Sequence, residues 1–328
     1  MLCLGIESTA HTFGVGIVDD KGNILANEKS TYRPASGWGI IPVDAANHHK
    51  KSGSKVIENA LEIAGISIKD IDIVSFSQGP GLAPCLKVGM EYARDLANKS
   101  RRIIGVNHCI AHIEIGRLLT ESKDPVIVYV SGANTQILSF SSGRYRCFGE
   151  TMDIGLGNAL DKFGRNVGLG FPPGPKIEKL AKNGNWVDLP YVVKGMDLSF
   201  SGIVTECIRK YNAGYKLEDI CFSMQEVFFS MLVEVTERAL AHLGKKEVLL
   251  TGGVAANARL QEMLGIMCKE RGAEFNTVPI EYAGDNGAMI AWTGILHYKS
   301  NKNAPCNEND IDIQPRQRTD MVEIGWIK

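Results

Sequence analysis

An α/β fold of two duplicated lobes is predicted for this chain of 328 residues. Short apolar runs alternate with amphipathic stretches along its length, the alternation that produces sheets flanked by helices. A strand, polar loop, strand, turn and strand open the chain, and a second such unit begins at residue 126. An offset of about 120 residues between the two units reads as duplication, although hairpins also resemble one another by chance. Glycine-rich polar loops close several of the apolar runs, where a compact ligand can approach the backbone.

Residues 2–6 form the first apolar run, followed by the polar loop 7–12, a strand over 14–18, a turn at Asp19-Asp20-Lys21-Gly22 and a strand over 24–30. The second unit runs from 126–130 through Ser131-Gly132-Ala133-Asn134-Thr135, then 136–140, a turn at 141–144, and 145–148. Between them, Val56, Ile57, Ala60, Leu61 and Ala64 recur at helical spacing, predicting a helix over 54–64. Residues 89–98 behave likewise after the loop Gln78-Gly79-Pro80-Gly81. Residues 224–243 predict a long helix, 248–250 a short buried strand, and 288–296 an apolar helix. The lobes are expected at 1–120 and 121–328, with a ligand in the cleft between them.

Bulk composition restricts the function classes. With 44% hydrophobic and 22% charged residues the chain has the makeup of a soluble globular protein. A formal charge of -1 excludes a coat of basic residues, so any nucleic-acid surface must be local or come from another subunit. Eight cysteines occur without a CxxC pair, which suits a reducing compartment and argues against a disulfide framework or a four-sulfur metal site. No secretory signal and no long uncharged apolar span are read, so a cytoplasmic protein without membrane partners is expected.

His108-Cys109-Ile110-Ala111-His112 is the sharpest local feature. Positions i and i+4 stack on one helical face, so both imidazoles can reach one ion; a solvated helix face has the same spacing. Ile113, Ile115, Gly116 and Leu119 carry the helical pattern onward. The HExxH pattern of metalloproteases needs a glutamate after the first histidine, and here that residue is Cys109. Glu114 falls about 160° beyond His112 at 100° per residue, on the wrong face to serve instead.

Loops at 7–12, 131–135 and 251–253 suit phosphate, since small residues after a strand expose backbone amides. Strand alternation puts Tyr129 and Ser131 on one face, which would tie the Tyr129 hydroxyl to the second loop. Asp153, Asp161 and Glu178 lie in a glycine-rich stretch where carboxylates can take ribose hydroxyls; capping by Asp161 and solvation of Glu178 are the plainer readings. Asp285, in Gly284-Asp285-Asn286-Gly287, can cap the following helix or bind a metal.

Taken together and in order, these segments resemble the tRNA N6-adenosine threonylcarbamoyltransferase family, called TsaD in bacteria and once described as sialoglycoproteases. The resemblance is carried by Gly5-Ile6-Glu7-Ser8-Thr9, Gln78-Gly79-Pro80-Gly81-Leu82, residues 107–113, residues 129–135, Gly149-Glu150-Thr151-Met152-Asp153, Ser199-Phe200-Ser201-Gly202, residues 252–257 and residues 284–289. His11 and Thr12 make it closest to the archaeal and eukaryotic branch, whose members are catalytic subunits of the KEOPS complex.

The resemblance implies a two-lobed actin-like ATPase fold, shared with Hsp70 and sugar kinases and related to ribonuclease H. It implies metal ligands at His108, His112, Tyr129 and Asp285, and no catalytic side chain beyond the metal. Two nitrogens and two oxygens without thiolate suit one divalent iron(II) or zinc ion. Nucleotide contacts would fall on Tyr129, Val130, Ser131, Gly132, Ala133, Asp161, Gly174, Glu178 and Asn257. They would hold threonylcarbamoyl-AMP, or ATP or AMP, while the exocyclic amine of the adenosine 3′ of the anticodon attacks. Expected partners are tRNA, a separate small kinase or ATPase subunit and the other KEOPS subunits. Candidate tRNA contacts are Lys50-Lys51, residues 99–102 and Arg316 with Arg318. Two further readings stand beside this one: an ATP-binding kinase or chaperone-like ATPase of the same fold, and a non-catalytic subunit of a complex.

Overall fold

A computed structural model describes residues 1–34, 39–97, 102–300 and 311–327. The first unit is a meander of β1 (Leu2–Glu7), β2 (Thr12–Asp19) and β3 (Ile24–Thr31), followed by α1 (Pro42–Ala64), β4 (Ile73–Gly79), α2 (Ala83–Ala97), β5 (Arg102–Asn107) and α3 (His108–Thr120). The second repeats it with β6 (Val126–Val130), β7 (Thr135–Ser141) and β8 (Arg144–Glu150). Then come α4 (Leu156–Asn166), α5 (Gly174–Ala181), the short β9 (Val193–Lys194) and β10 (Asp197–Leu198), α6 (Ser201–Asn212) and α7 (Leu217–Leu243). The chain continues through β11 (Glu247–Thr251), α8 (Ala258–Glu270), β12 (Glu274–Thr277), α9 (Ile280–Ala283) and α10 (Gly287–Ser300).

Both large sheets have the same plan. The first is ordered β3-β2-β1-β4-β5 and the second, read from its other edge, β8-β7-β6-β11-β12. In each, an antiparallel meander is extended by two parallel strands. The duplication expected from the sequence is therefore present at the level of topology. All five strands of the first sheet precede residue 120 and all five of the second follow it. The predicted helices are longer than their apolar periodicity: α1 begins at Pro42 and α7 at Leu217, because first turns pack only partly and carry polar residues. Glu7 and Thr12, expected in a loop, are the end of β1 and the start of β2.

The sheets lie on either side of α3 and α10. The outer face of the first sheet packs on α1 and α2 through Leu4, Ile6, Val15 and Ile17. Its inner face packs on α10 and α3 through two clusters that hold Ala288, Ala291, Ile290 and Ile115. The second sheet covers α4 and α6–α8 with Val126, Val128 and Val130, and turns Ile127 and Tyr129 toward α3. Every residue of β6 is buried, as a strand packed on both faces must be. α10 is apolar nearly all round, which is what a helix buried between layers requires.

Close approach sets the docking of α10. A Cβ on Gly16 would lie 2.1 Å from the Ala288 nitrogen, and one on Gly5 would lie 2.2 Å from the Ala291 nitrogen. Only glycine lets these strands touch the helix backbone. Residues 311–327 then cross from one sheet to the other: Gln314 N donates to the Gln78 carbonyl at 2.7 Å, Asn107 Nδ2 to Gln317 Oε1 at 3.0 Å, and Ile324 N to the Gly143 carbonyl at 2.8 Å. Among the described residues no helix is long and apolar enough to cross a membrane.

Gly16→Ala should cost about 3 kcal/mol or more, because the methyl group meets backbone that cannot rotate away; chemical unfolding measures it. Two buried histidines contribute to the acid limit. Burial pulls His49 down to about 4, partly opposed by the Ala10 carbonyl, and burial alone pulls His297 down to about 4. Their stabilisation is whole above about pH 6.5 and is lost as pH falls toward 4. His297→Phe should flatten the fall of the thermal midpoint between those limits; an unchanged slope would remove His297 as a cause.

Candidate metal centre and nucleotide cleft

Asn107 ends β5 and caps α3: its Oδ1 accepts from Ile110 N at 3.1 Å. The helix thus begins at His108, and its first turn presents His108 and His112 to the same side, with ring centroids 4.8 Å apart. Asp285 arrives from the loop between α9 and α10. His112 Nε2 donates to Asp285 Oδ1 at 3.3 Å, and His108 Nε2 stands 3.6 Å from the same oxygen. One ligand atom from each of His108, His112 and Asp285 lies within 4.8 Å of the others. Tetrahedral ligands about 2.0–2.2 Å from one ion stand about 3.3–3.6 Å apart, a spacing that both contacts to Asp285 already have and that the widest pair would reach by closing about 1 Å.

The sequence left Asp285 between capping and metal binding. Asn286 does the capping: its Oδ1 accepts from Met289 N at 3.0 Å and its Nδ2 donates to the Gly284 and Tyr282 carbonyls. The preceding carboxylate is thereby free to face the histidines. Tyr129, fully buried on β6, stacks its ring 5.4 Å from that of His112. Its hydroxyl has no hydrogen-bond partner. No hydrogen bond of normal length ties Tyr129 to the following loop, where Ser131 Oγ accepts from Asn134 N at 3.2 Å. An orphaned buried hydroxyl costs about 1–3 kcal/mol. Beside two imidazoles and a carboxylate, it fits the missing oxygen ligand of a cation.

Glu7 was not singled out as a site residue, yet it organises this centre. It is wholly buried, and His108 Nδ1 donates to its Oε2 at 2.9 Å. Thr9 donates to the other oxygen through both N, at 2.7 Å, and Oγ1. The carboxylate fixes His108 with Nε2 toward Asp285, the outer-shell arrangement common to metal-binding histidines. One signal was available: β1 is apolar except for the glutamate at its end.

A proton on His108 offsets part of the carboxylate charge at the centre. Burial disfavours imidazolium, but Glu7, and then Asp285, push His108 up to about 9. Burial pulls His112 down. Burial opposes the Asp285 carboxylate, and the hydrogen bond from His112 with the nearby His108 overrules it, holding Asp285 well below the usual range. Burial pushes the Tyr129 phenol well above 10, so a cation is needed to ionise it. A divalent ion would take the place of the His108 proton.

The opposite face of α3 is anchored in the second lobe. Tyr145 hydroxyl donates to Glu114 Oε1 at 2.5 Å and Arg117 to Glu114 Oε2 at 3.0 Å. Glu114 is thus committed away from the histidines, and Cys109 packs in the core with Ile110 and Tyr129. No glutamate occupies the position a zinc protease needs.

The nucleotide candidates divide between loop, cleft and scaffold. Ser131 to Asn134 form a tight turn with Gly132 and Ala133 exposed, while Val130 is buried in the sheet. Gly252 reaches that turn because its φ of 95° lets β11 end with a Cβ position 2.3 Å from the Val130 carbonyl. Asp161 does not cap: it lies inside α4, where burial pushes its carboxyl up to about 6 against His11 and Arg165. Glu178 is not simply solvated; its Oε1 accepts from Ala258 N at 3.0 Å. Asn257 caps α8 with its oxygen and donates to Gln225 at 3.1 Å, so both ends of its amide serve the scaffold. Gly174 opens α5 with nothing near its Cβ position. Asp153 is consumed by α6, accepting from Phe200 N and Ser201 N, each at 3.0 Å. Of the basic spots, 99–101 lie outside the described residues, Arg102 sits over the Tyr298 ring at 5.2 Å, and Arg318 pairs with Asp320 at 2.9 Å.

Comparison with known proteins decides the family. The profile of the tRNA N6-adenosine threonylcarbamoyltransferases, TsaD, matches residues 22–292. This chain belongs to that family. It is therefore a member of a transferase family, with archaeal relatives. The tRNA N6-adenosine threonylcarbamoyltransferase of Thermococcus kodakarensis is 54% identical over 99% of this chain and 100% of its own length. That of Methanopyrus kandleri is 52% identical over 99% of this chain and 96% of its own. The "Probable bifunctional tRNA threonylcarbamoyladenosine biosynthesis protein" of Methanocaldococcus jannaschii is 53% identical, and this TsaD-family chain spans 61% of its length. Among solved structures, HypF of Thermococcus kodakarensis superposes with a TM-score of 0.63 at 16% identity, covering 94% of this chain and 49% of HypF. An activator of 2-hydroxyisocaproyl-CoA dehydratase from Clostridium difficile superposes with 0.54 at 13% identity, covering 94% and 99%. These two show the fold alone, the two-lobed actin-like frame expected from the sequence.

Glu7→Gln should weaken divalent-metal binding about 10–100-fold, since it leaves His108 without its orienting charge. Asp285→Asn should remove the bound ion altogether. Metal analysis after dialysis reads both, and undiminished binding in Asp285→Asn would remove the aspartate from the ligand set.

Proposed function

We propose that this chain transfers the threonylcarbamoyl group from threonylcarbamoyl-AMP to the exocyclic amine of the adenosine 3′ of the anticodon, in tRNAs that read codons starting with A. It would do so as the catalytic subunit of KEOPS in the cytoplasm, alongside a separate kinase or ATPase subunit. The observation that carries this reading is the convergence of His108, His112 and Asp285, with the unpartnered Tyr129 hydroxyl beside them, in a chain of this family.

Those four side chains would hold one divalent cation, iron(II) or zinc by the chemistry of the donors. Bound there, the ion would polarise the carbamoyl carbonyl or offset charge on the departing phosphate. The chain's own residues set the stage. Glu7 holds the His108 ring, and Asn107 and Asn286 start the two helices that deliver the ligands. Near-complete burial of both histidines keeps water from the ion and strengthens each charge interaction. The exposed backbone at Gly132 and Ala133 and the open approach at Gly174 suit the phosphate and sugar of the adenylate. Asp161, kept from ionising readily, can meet a hydroxyl as donor or acceptor. The adenosine amine is a poor nucleophile, so its alignment in the cleft matters as much as activation of the carbonyl.

We take the lobes to be 1–120 and 121–328; the five strands of each large sheet fall on one side of residue 120, which supports this division, and α10 packs back on the first sheet. The bifunctional relatives, of which this chain spans 60–61%, support a partner that brings a second activity.

The test assembles the chain with its partner subunits, tRNA, threonylcarbamoyl-AMP and iron(II) or zinc, and reads modified adenosine by mass spectrometry of digested tRNA. His108→Ala and His112→Ala should each lose bound metal and modification together. Full modification by either metal-free variant would overturn the reading.

A further inference from the structure

His11 and Phe171 meet between the lobes, one from the loop between β1 and β2, the other from the loop between α4 and α5. Their ring centroids are 5.7 Å apart and their planes stand at 87°, so they form an L-shaped aromatic corner that bridges the two lobes. Both are only partly covered. Among the described residues Phe171 joins none of the hydrophobic clusters, so the core does not account for it.

The corner is close to the metal centre. Thr9 Oγ1 stands 3.4 Å from His108 Nδ1. His11 follows two residues later, a span of at most about 7 Å of chain. A nucleobase seated in the corner would thus lie near the metal centre. The rim is basic as well as aromatic: Arg165 on α4 reaches the first lobe, its Nη1 only 2.9 Å from a Cβ position on Gly39. Asp161, one turn earlier, feels both Arg165 and His11. A flat heterocycle fits such a corner with its face on one ring and its edge on the other, and a guanidinium beside it suits a phosphodiester. Unpaired bases of RNA loops are gripped in this manner.

We propose that His11 and Phe171 form the subsite that receives the base of the acceptor adenosine, with Arg165 on an adjoining backbone phosphate; this rests on the transfer to tRNA proposed above. Binding would hold the base out of its loop and aim its amine into the cleft.

The experiment measures affinity of the full chain, assembled with its partner subunits, for an anticodon stem–loop bearing adenosine 3′ of the anticodon and for the same stem–loop abasic there. Stacking is worth about 1–3 kcal/mol per base, so the unaltered protein should prefer the adenosine form by roughly tenfold. Phe171→Ala should erase that preference while leaving metal content, AMP affinity and the thermal midpoint unchanged, and Phe171→Trp should keep it. A preference that survives Phe171→Ala, a loss of AMP affinity in its place, or no preference in the unaltered protein would overturn the subsite. A preference abolished by Phe171→Ala in a protein that never modifies tRNA would sustain the subsite and sink the transfer reading instead.

Discussion

Two imidazoles one helical turn apart and a carboxylate 173 residues further along can meet only because α3 and α10 lie side by side between the sheets. The packing that places them is steric. Gly5 and Gly16 leave no room for a side chain under α10, and Gly287 presses equally close to Val15 and Gly16. A helix held by backbone contact cannot shift to relieve a poor ligand geometry, so Asp285 is delivered with little freedom. On the other helix, the Asn107 cap, the Thr251 hydroxyl on the His112 carbonyl and the Glu114–Tyr145–Arg117 network fix height and rotation. This is preorganisation by scaffold, with the cost of assembling buried charge met during folding.

The electrostatics follow from that enclosure. Glu7 and two imidazoles sit where water barely reaches, Asp285 is partly covered beside them, and a proton on His108 keeps the set tolerable. The same enclosure leaves the Tyr129 hydroxyl without a partner and its phenol hard to ionise. A cation bound among these side chains would ease both conditions. Glu114 shows the contrary design on the same helix: a buried carboxylate fully paired and chemically silent.

Much of this was legible early because it is local. The spacing of His108 and His112, the two meanders and the glycine loops are written in runs of a few residues. Legibility failed where a residue had two competent partners at a distance. Asp161 and Asp285 both resemble helix caps in sequence, yet one lies inside α4 and the other yields the cap to its neighbour Asn286. Asp153 resembled a ribose contact and serves the amides of α6 instead, 47 or 48 residues away. Asn257 has a duty that its place in a glycine loop did not reveal: it caps α8 and donates to Gln225.

The sequence by itself determined the α/β class, the internal repeat, the histidine face and the absence of a protease glutamate, since each depends on periodicity or on one residue type at one position. Only the tertiary structure decided that Glu7 orients His108, that Asn286 frees Asp285, and that His11 and Phe171 stand together between the lobes. The first and third are relations between segments about 100 residues or more apart, which no local propensity encodes and which arise when two sheets close on a shared pair of helices; the second is a local choice between adjacent residues that serve equally well as helix caps.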